Sequence, residues 1–198
     1  MRAPITEDAV DELEFSTPDH RRVAEQLAEW GDNPHPRDEL SPRELLTAAG
    51  EQLELAGDPE AAEAVYRRAV RAEGFSELDP RSHLMALLLE RGDTEEALAL
   101  DTELRRSRPA DAATYEYMAD VWADHGDDRR ALGWVSRGIR VHEEGTPFSD
   151  TDFAMLCLMR WRIREREGQE PDEYDLVGIG MDERLDRSAE EHPGGAGG

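Results

Sequence analysis

The chain has 198 residues, of which 38% are hydrophobic and 35% charged, with a formal net charge of -24. Such a charge argues against a binder of nucleic-acid backbones or anionic membranes, whose affinity comes from clustered cations. The length suits one well-buried domain or one short solenoid, and the high charge suits helices that each keep one wet face. All 23 basic residues are arginine, which is attributed to genome composition before function. The single cysteine, Cys157, cannot form an intramolecular disulfide, and the first residues lack the apolar core of a signal peptide, so the cytoplasm is the expected location. The longest apolar run, Leu84 to Leu89, is far short of the roughly 20 residues that span a bilayer.

Residues 1–16 are acidic and weakly periodic and read as a flexible arm. Residues 17–40 read as a covering helix and linker: Thr17 caps, Pro18 fits the first turn, Val23, Leu27 and Trp30 share a face, and Asp32 to Pro36 break the chain. Ser41-Pro42-Arg43-Glu44 combines a capping serine, a proline at the first helical position and a glutamate placed to close a capping box. Residues 41–148 then carry three helical hairpins. Their expected inward positions include Leu45, Leu46, Ala49 and Leu53, then Leu84, Leu87 and Leu88, then Tyr115, Met118 and Trp122. After Gly145-Thr146-Pro147, a cap at Ser149 or Asp150 opens a helix from about 151 to 167, apolar in its first half and carrying Arg160, Arg162, Arg164 and Arg166 in its second. Residues 149–181 read as this capping helix with a cover segment, and 182–198 as a disordered tail.

The hairpins are organised by a Gly-Asp pair that recurs as Gly57-Asp58, Gly92-Asp93 and Gly126-Asp127, at spacings of 35 and 34 residues. Five residues after each glycine stands an alanine, Ala62, Ala97 or Ala131, and seven before it stands Gly50, Met85 or Ala119. A fixed period of this length marks a stacked helical repeat. Each glycine ends one helix and each aspartate caps the next, while the small residues Gly50, Ala62, Ala97, Ala119 and Ala131 let paired helices approach.

On these residues the units resemble tetratricopeptide repeats over about residues 43 to 144. The family's slots map onto Gly50, Leu53, Ala62, Tyr66 and Ala69, onto Met85, Leu88, Ala97, Leu104 and Pro109, and onto Tyr115, Ala119, Trp122, Ala131 and Gly138. The chain departs from the pattern at Met85, in a slot usually small, at Asp101, in one usually aromatic, and at Glu143, in place of the closing proline. The resemblance implies an all-α fold, a short right-handed superhelix of three hairpins with capping helices at both ends. The segment Arg160 to Asp175 is similar to the C-terminal part of bacterial repeat proteins labelled with a SEC-C type zinc motif, but that motif needs clustered cysteines, so no metal is carried over.

No nucleophile elbow, phosphate loop, His-Glu-x-x-His or Cys-x-x-Cys is present, so neither an enzyme nor a cofactor is expected. Cys157 lies among apolar neighbours and reads as a packing residue. His125, beside Asp124 and Asp127, offers either a helix-end charge or a motif-free metal site. Trp122 and Trp134 stand at core spacing, and the arginines at 160–166 read as a docking patch or a solvated face paired with acids such as Glu165, Asp172 and Glu173.

The resemblance implies a concave surface lined by the first helix of each hairpin, where Glu44, Thr47, Glu51, Glu54, Ser82, His83, Ala86, Glu90, Glu116, Tyr117, Asp120 and Asp124 turn outward. Family members that hold chaperone carboxylates use Lys, Arg and Asn at such positions, and this chain has none there. The expected partner is therefore a protein or peptide with a basic patch, steered by the carboxylates and met flatly by Tyr117 and His83. Equally, the acids could only keep the surface wet. Two other readings stay open, a self-assembling structural protein that docks its basic C-terminal helix into an acidic groove, and a metal-dependent enzyme.

Overall fold

The computed structural model describes residues 2–146 and 148–191, the last three of these by backbone alone. It is all-helical, with ten helices and no strand among the described residues: α1 (Glu7–Ser16), α2 (His20–Asp32), α3 (Pro42–Leu55), α4 (Pro59–Ala69), α5 (Pro80–Arg91), α6 (Thr94–Ser107), α7 (Ala112–Asp124), α8 (Asp128–Glu143), α9 (Asp150–Arg166) and α10 (Glu173–Glu191). The chain divides into two compact units, Met1–Ser107 and Arg108–Gly198, where the sequence suggests one stack. The boundary falls at Arg108, whose φ of 51° is left-handed, and at Pro109, which has no amide to continue α6.

The recurring glycines do one job. Gly57, Gly92 and Gly126 sit at φ of 69°, 90° and 77°, where a side chain would be strained. Each lets the following aspartate amide reach back to the last turn, Asp58 to the Leu53 carbonyl at 2.9 Å, Asp93 to Leu88 and Asp127 to Trp122, both at 2.8 Å. Asp58 and Asp127 then cap α4 and α8 through the amides of Ala61 and Arg130. The Asp93 carboxylate instead pairs with Arg91 at 2.5 Å.

Other starts also differ from expectation. Asp19, not Thr17, caps α2, since the Thr17 hydroxyl accepts the Asp19 amide. Ser41 caps α3, but Glu44 closes no box: its carboxylate accepts the Glu77 amide instead. A true capping box stands at Ser149 and Asp152. The expected acidic arm contains α1, capped by Thr6 and pinned by buried Val10. The expected disordered tail is helical over residues 182–191, which continue α10, whereas 192–198, like Pro147 in the break before α9, lie outside the described residues.

In the first unit α2 packs on α3, α3 on α4, α4 on α5 and α5 on α6; in the second α7, α8 and α9 pack on one another and α10 on α9. Ala62, Ala97, Ala119 and Ala131 are all buried, as are the large residues Tyr66, Met85, Leu104, Tyr115, Trp122 and Trp134. Gly50 shows why a small residue is needed. A Cβ there would stand 2.3 Å from the Tyr66 ring, so the tyrosine of α4 occupies the space that any side chain on α3 would take. Asp101 is buried and held by Arg105 at 3.0 Å, which is how a carboxylate is tolerated in a slot suited to an aromatic ring.

Two glycine substitutions should therefore move stability in opposite directions. Gly50→Ala overpacks the α3–α4 contact and should cost about 1–3 kcal/mol in urea unfolding. Gly133→Ala, on α8 with no neighbour within 4 Å, should gain about 0.5–1 kcal/mol from helix propensity alone. Equal effects would contradict this packing.

Candidate functional site

Eight of the residues expected to line a binding surface lie in the first unit and four in the second. In the first, Glu44, Ala48, Glu51 and Leu55 follow one another along a single face of α3, and Glu54 stands on its shoulder. Glu51 and Leu55 are exposed, and Glu44 and Glu54 are half-buried. Glu90, exposed on α5, adds a further carboxylate.

His83 corrects its assignment. It is buried rather than turned outward, because its ring stacks flat on Tyr66, with centroids 4.9 Å apart and planes 9° apart. Its Nε2 lies 3.1 Å from Glu51 and its Nδ1 3.7 Å from Glu54, while the Tyr66 hydroxyl donates to Glu54. His83 thus braces the acidic face from beneath instead of offering a ring to a ligand. Thr47 and Ser82 are likewise buried, Thr47 donating to the Arg43 carbonyl and Ser82 to the Asp79 carbonyl.

In the second unit Glu116, Asp120 and Asp124 form one stripe along α7, with Tyr117 half-buried beside them. Burial pushes the Glu116 carboxyl up to about 7, and Asp152 of α9 and Asp120 add repulsion. Asp120 is raised too, first by the protein crowding its exposed carboxyl and then by Asp124. On the first unit, burial and neighbouring acids likewise raise Glu44 and Glu54, with Glu77, Glu51 and Glu7 acting on the former and Glu90 and Glu51 on the latter.

Other acids are held by donors: Arg67 and Arg91 bind Glu63, which is lowered, while Asp58 and Asp127 are lowered first by the amides they cap, those of Ala61 and Arg130, and then by the Arg21 and Arg130 side chains. Among the described residues, Glu44, Glu51, Glu54, Glu90, Glu116, Asp120 and Asp124 have no arginine partner. Arg43, although on α3, turns its guanidinium to the Ala72 carbonyl. Sequence reasoning missed Glu7, Glu77 and Asp152, which reach these faces from other elements and leave no periodic signal.

The arginines of α9 are all engaged. Arg160 pairs with Asp172 at 2.7 Å and with Asp175, Arg164 with Asp175 at 2.8 Å, Arg162 with Asp182 at 2.6 Å and Arg166 with Asp128 at 2.9 Å. Glu165 and Glu173 are not among these partners. Asp172 and Asp175 also exchange amide bonds across the start of α10, a capping box that explains the Asp-x-x-Asp spacing. No group of three or more His, Cys, Asp or Glu among the described residues could hold a metal ion, and Asp127 is committed to its cap and to Arg130. Burial pushes the Cys157 thiol up to about 12, which makes it a poor nucleophile. No helix among the described residues is long and apolar enough to cross a membrane. No family model matches the chain, and neither a curated protein nor a solved structure does.

Glu116 gives a signed pH test. Its folded-state pKa lies above the usual 4.5, so its stabilising contribution is full below about 4.5 and is lost as pH rises through about 7. Glu116→Gln should thus match the wild type in thermal unfolding near pH 5 and exceed it near pH 8, by on the order of 1 kcal/mol after solvent screening. The same difference at both values would contradict the assignment.

Proposed function

We propose that this protein is a non-catalytic protein–protein interaction module of tetratricopeptide type, and that the acidic faces of α3 and α7 bind a basic peptide or a basic patch on a protein. The repeat reading is supported by the shared helix ends at Gly57, Gly92 and Gly126 and by the close fit of Tyr66 over Gly50. The binding reading rests on one observation: these carboxylates have no arginine partner, and four of them are raised by burial and mutual repulsion. A bound guanidinium or ammonium would relieve that repulsion, which is a differential interaction that solvation alone does not supply. Tyr117, half-buried on α7, supplies a flat contact beside the charges.

A labelled peptide of alternating arginine and alanine, followed by fluorescence anisotropy, tests this. Glu51→Arg with Glu90→Arg should weaken binding at least about tenfold, and added salt should weaken it further. Glu60→Arg with Glu95→Arg changes net charge equally at exposed sites elsewhere and should cost less than about threefold. Asp120→Arg with Asp124→Arg makes the same comparison for α7. Equal losses for face and control variants would mean that the acids only solvate the surface.

A further inference from the structure

The side of α9 that α10 covers is built from two kinds of residue. Ala154 and Leu158, with Met155 beside them, form an apolar strip that Met181 of α10 completes. Arg160, Arg162 and Arg164 flank it, and α10 with its capping residue answers them with aspartates at positions 172, 175 and 182. Asp175 is fully buried between two guanidinium groups. Where the helices come closest there is no side chain at all: a Cβ on Gly178 would stand 2.5 Å from the Cys157 carbonyl oxygen.

Little of this attachment is hydrophobic. Met181 is the one large apolar side chain that α10 fully buries among the described residues; Tyr174 and Ile179 are half-buried, and Leu176 and Leu185 remain exposed at 61% and 40%. Buried ion pairs contribute specificity more than net stability, because desolvation offsets most of their attraction. Gly178 and Gly180 also weaken α10 as a helix. The connection to α9 passes through Gly168, in the left-handed region at φ 70°, and Pro171. Such a helix is matched to its seat by charge and shape but held there weakly.

We infer that α10 is a releasable cover over a second docking surface, the arginine-flanked apolar strip of α9, and that this surface takes an acidic helix of the same kind from a partner protein. The resident helix shows the chemistry of that ligand: aspartates spaced to meet Arg160, Arg162 and Arg164, a glycine at the closest approach and one thioether or aliphatic side chain for the strip. This surface does not depend on the acidic faces of α3 and α7.

Cys157 makes the release measurable. It is the only thiol in the chain, fully buried, on the residue whose carbonyl Gly178 of α10 approaches most closely, and it lies within electrostatic reach of Arg160, Asp175 and Asp172. In the full-length protein under native conditions, maleimide labelling of Cys157 should be at least about tenfold faster in Gly178→Ala and in Asp175→Asn than in the wild type, with the remaining helices intact by circular dichroism. Gly178→Ala alters no charge and serves as the readout if Asp175→Asn does not fold. A synthetic peptide of residues 171–188, in excess, should slow labelling of the opened variants back toward the wild-type rate. The same peptide with Asp172, Asp175 and Asp182 changed to Asn should not. The inference fails if wild type and variants label only as fast as global unfolding in urea allows, or if the peptide gives no protection. Dimers of the opened variants in light scattering would overturn the partner reading in favour of exchange of α10 between two copies.

Discussion

The constraint on which the rest depends is a shortage of cations. With 23 arginines for 47 acids, there is about one arginine for every two carboxylates, so where the arginines go decides the character of each surface. They go to helix starts and to contacts between helices: Arg130 to the cap at Asp127, Arg67 bridging Glu63 of α4 to Glu96 of α6, Arg160 and Arg164 to Asp175. Of the acids left over, those on α3 and α7 are set apart by their surroundings: Glu44, Glu54, Glu116 and Asp120 are raised by burial and by neighbouring acids.

Packing fixes where that charge stands. Gly50 admits the Tyr66 ring, Tyr66 carries His83 on its face, and His83 with the tyrosine hydroxyl holds Glu51 and Glu54 in place. A small residue inside a helical hairpin is in this way connected, through two rings, to the geometry of two carboxylates on the outside. The stretch is short, so altering Gly50 should disturb both core and face. Preorganised carboxylates lose less freedom when a cation arrives than loose ones would.

Much of the helical pattern was legible in the sequence because it rests on local rules. Glycine at a helix end and aspartate at the next start are visible as a spacing, and the inward residues of α3, α5, α7 and α8 follow from period alone, as with buried Leu53, Leu88, Trp122 and Val135. What was not legible involves partners far apart in the chain. Glu44 looked like half of a capping box, but the Glu77 amide, brought in by the connector after α4, takes its carboxylate. His83 sat at an outward position by counting, yet its ring is drawn inward onto Tyr66. The helical course of residues 182–191 was hidden because most of them are charged, while the ties of that end of α10 to α9, such as Met181 on Leu158 and Asp182 with Arg162, join residues far apart in the chain. The Asp-x-x-Asp signal at 172–175 was present and could have been read as a capping box.

The central claim is that arginine partners and capping amides, set against burial among like charges, sort these carboxylates into two populations, and carboxyl-carbon NMR titration of the full chain measures it residue by residue. The account predicts that Glu44, Glu54, Glu116 and Asp120 titrate above the ordinary carboxylate range, with Glu116 near 7, and that Asp38, Asp58, Asp127 and Asp172 titrate below it, with Asp172 near 2. Overlapping midpoints for the two groups would contradict it, and with it the case for α3 and α7 as binding faces.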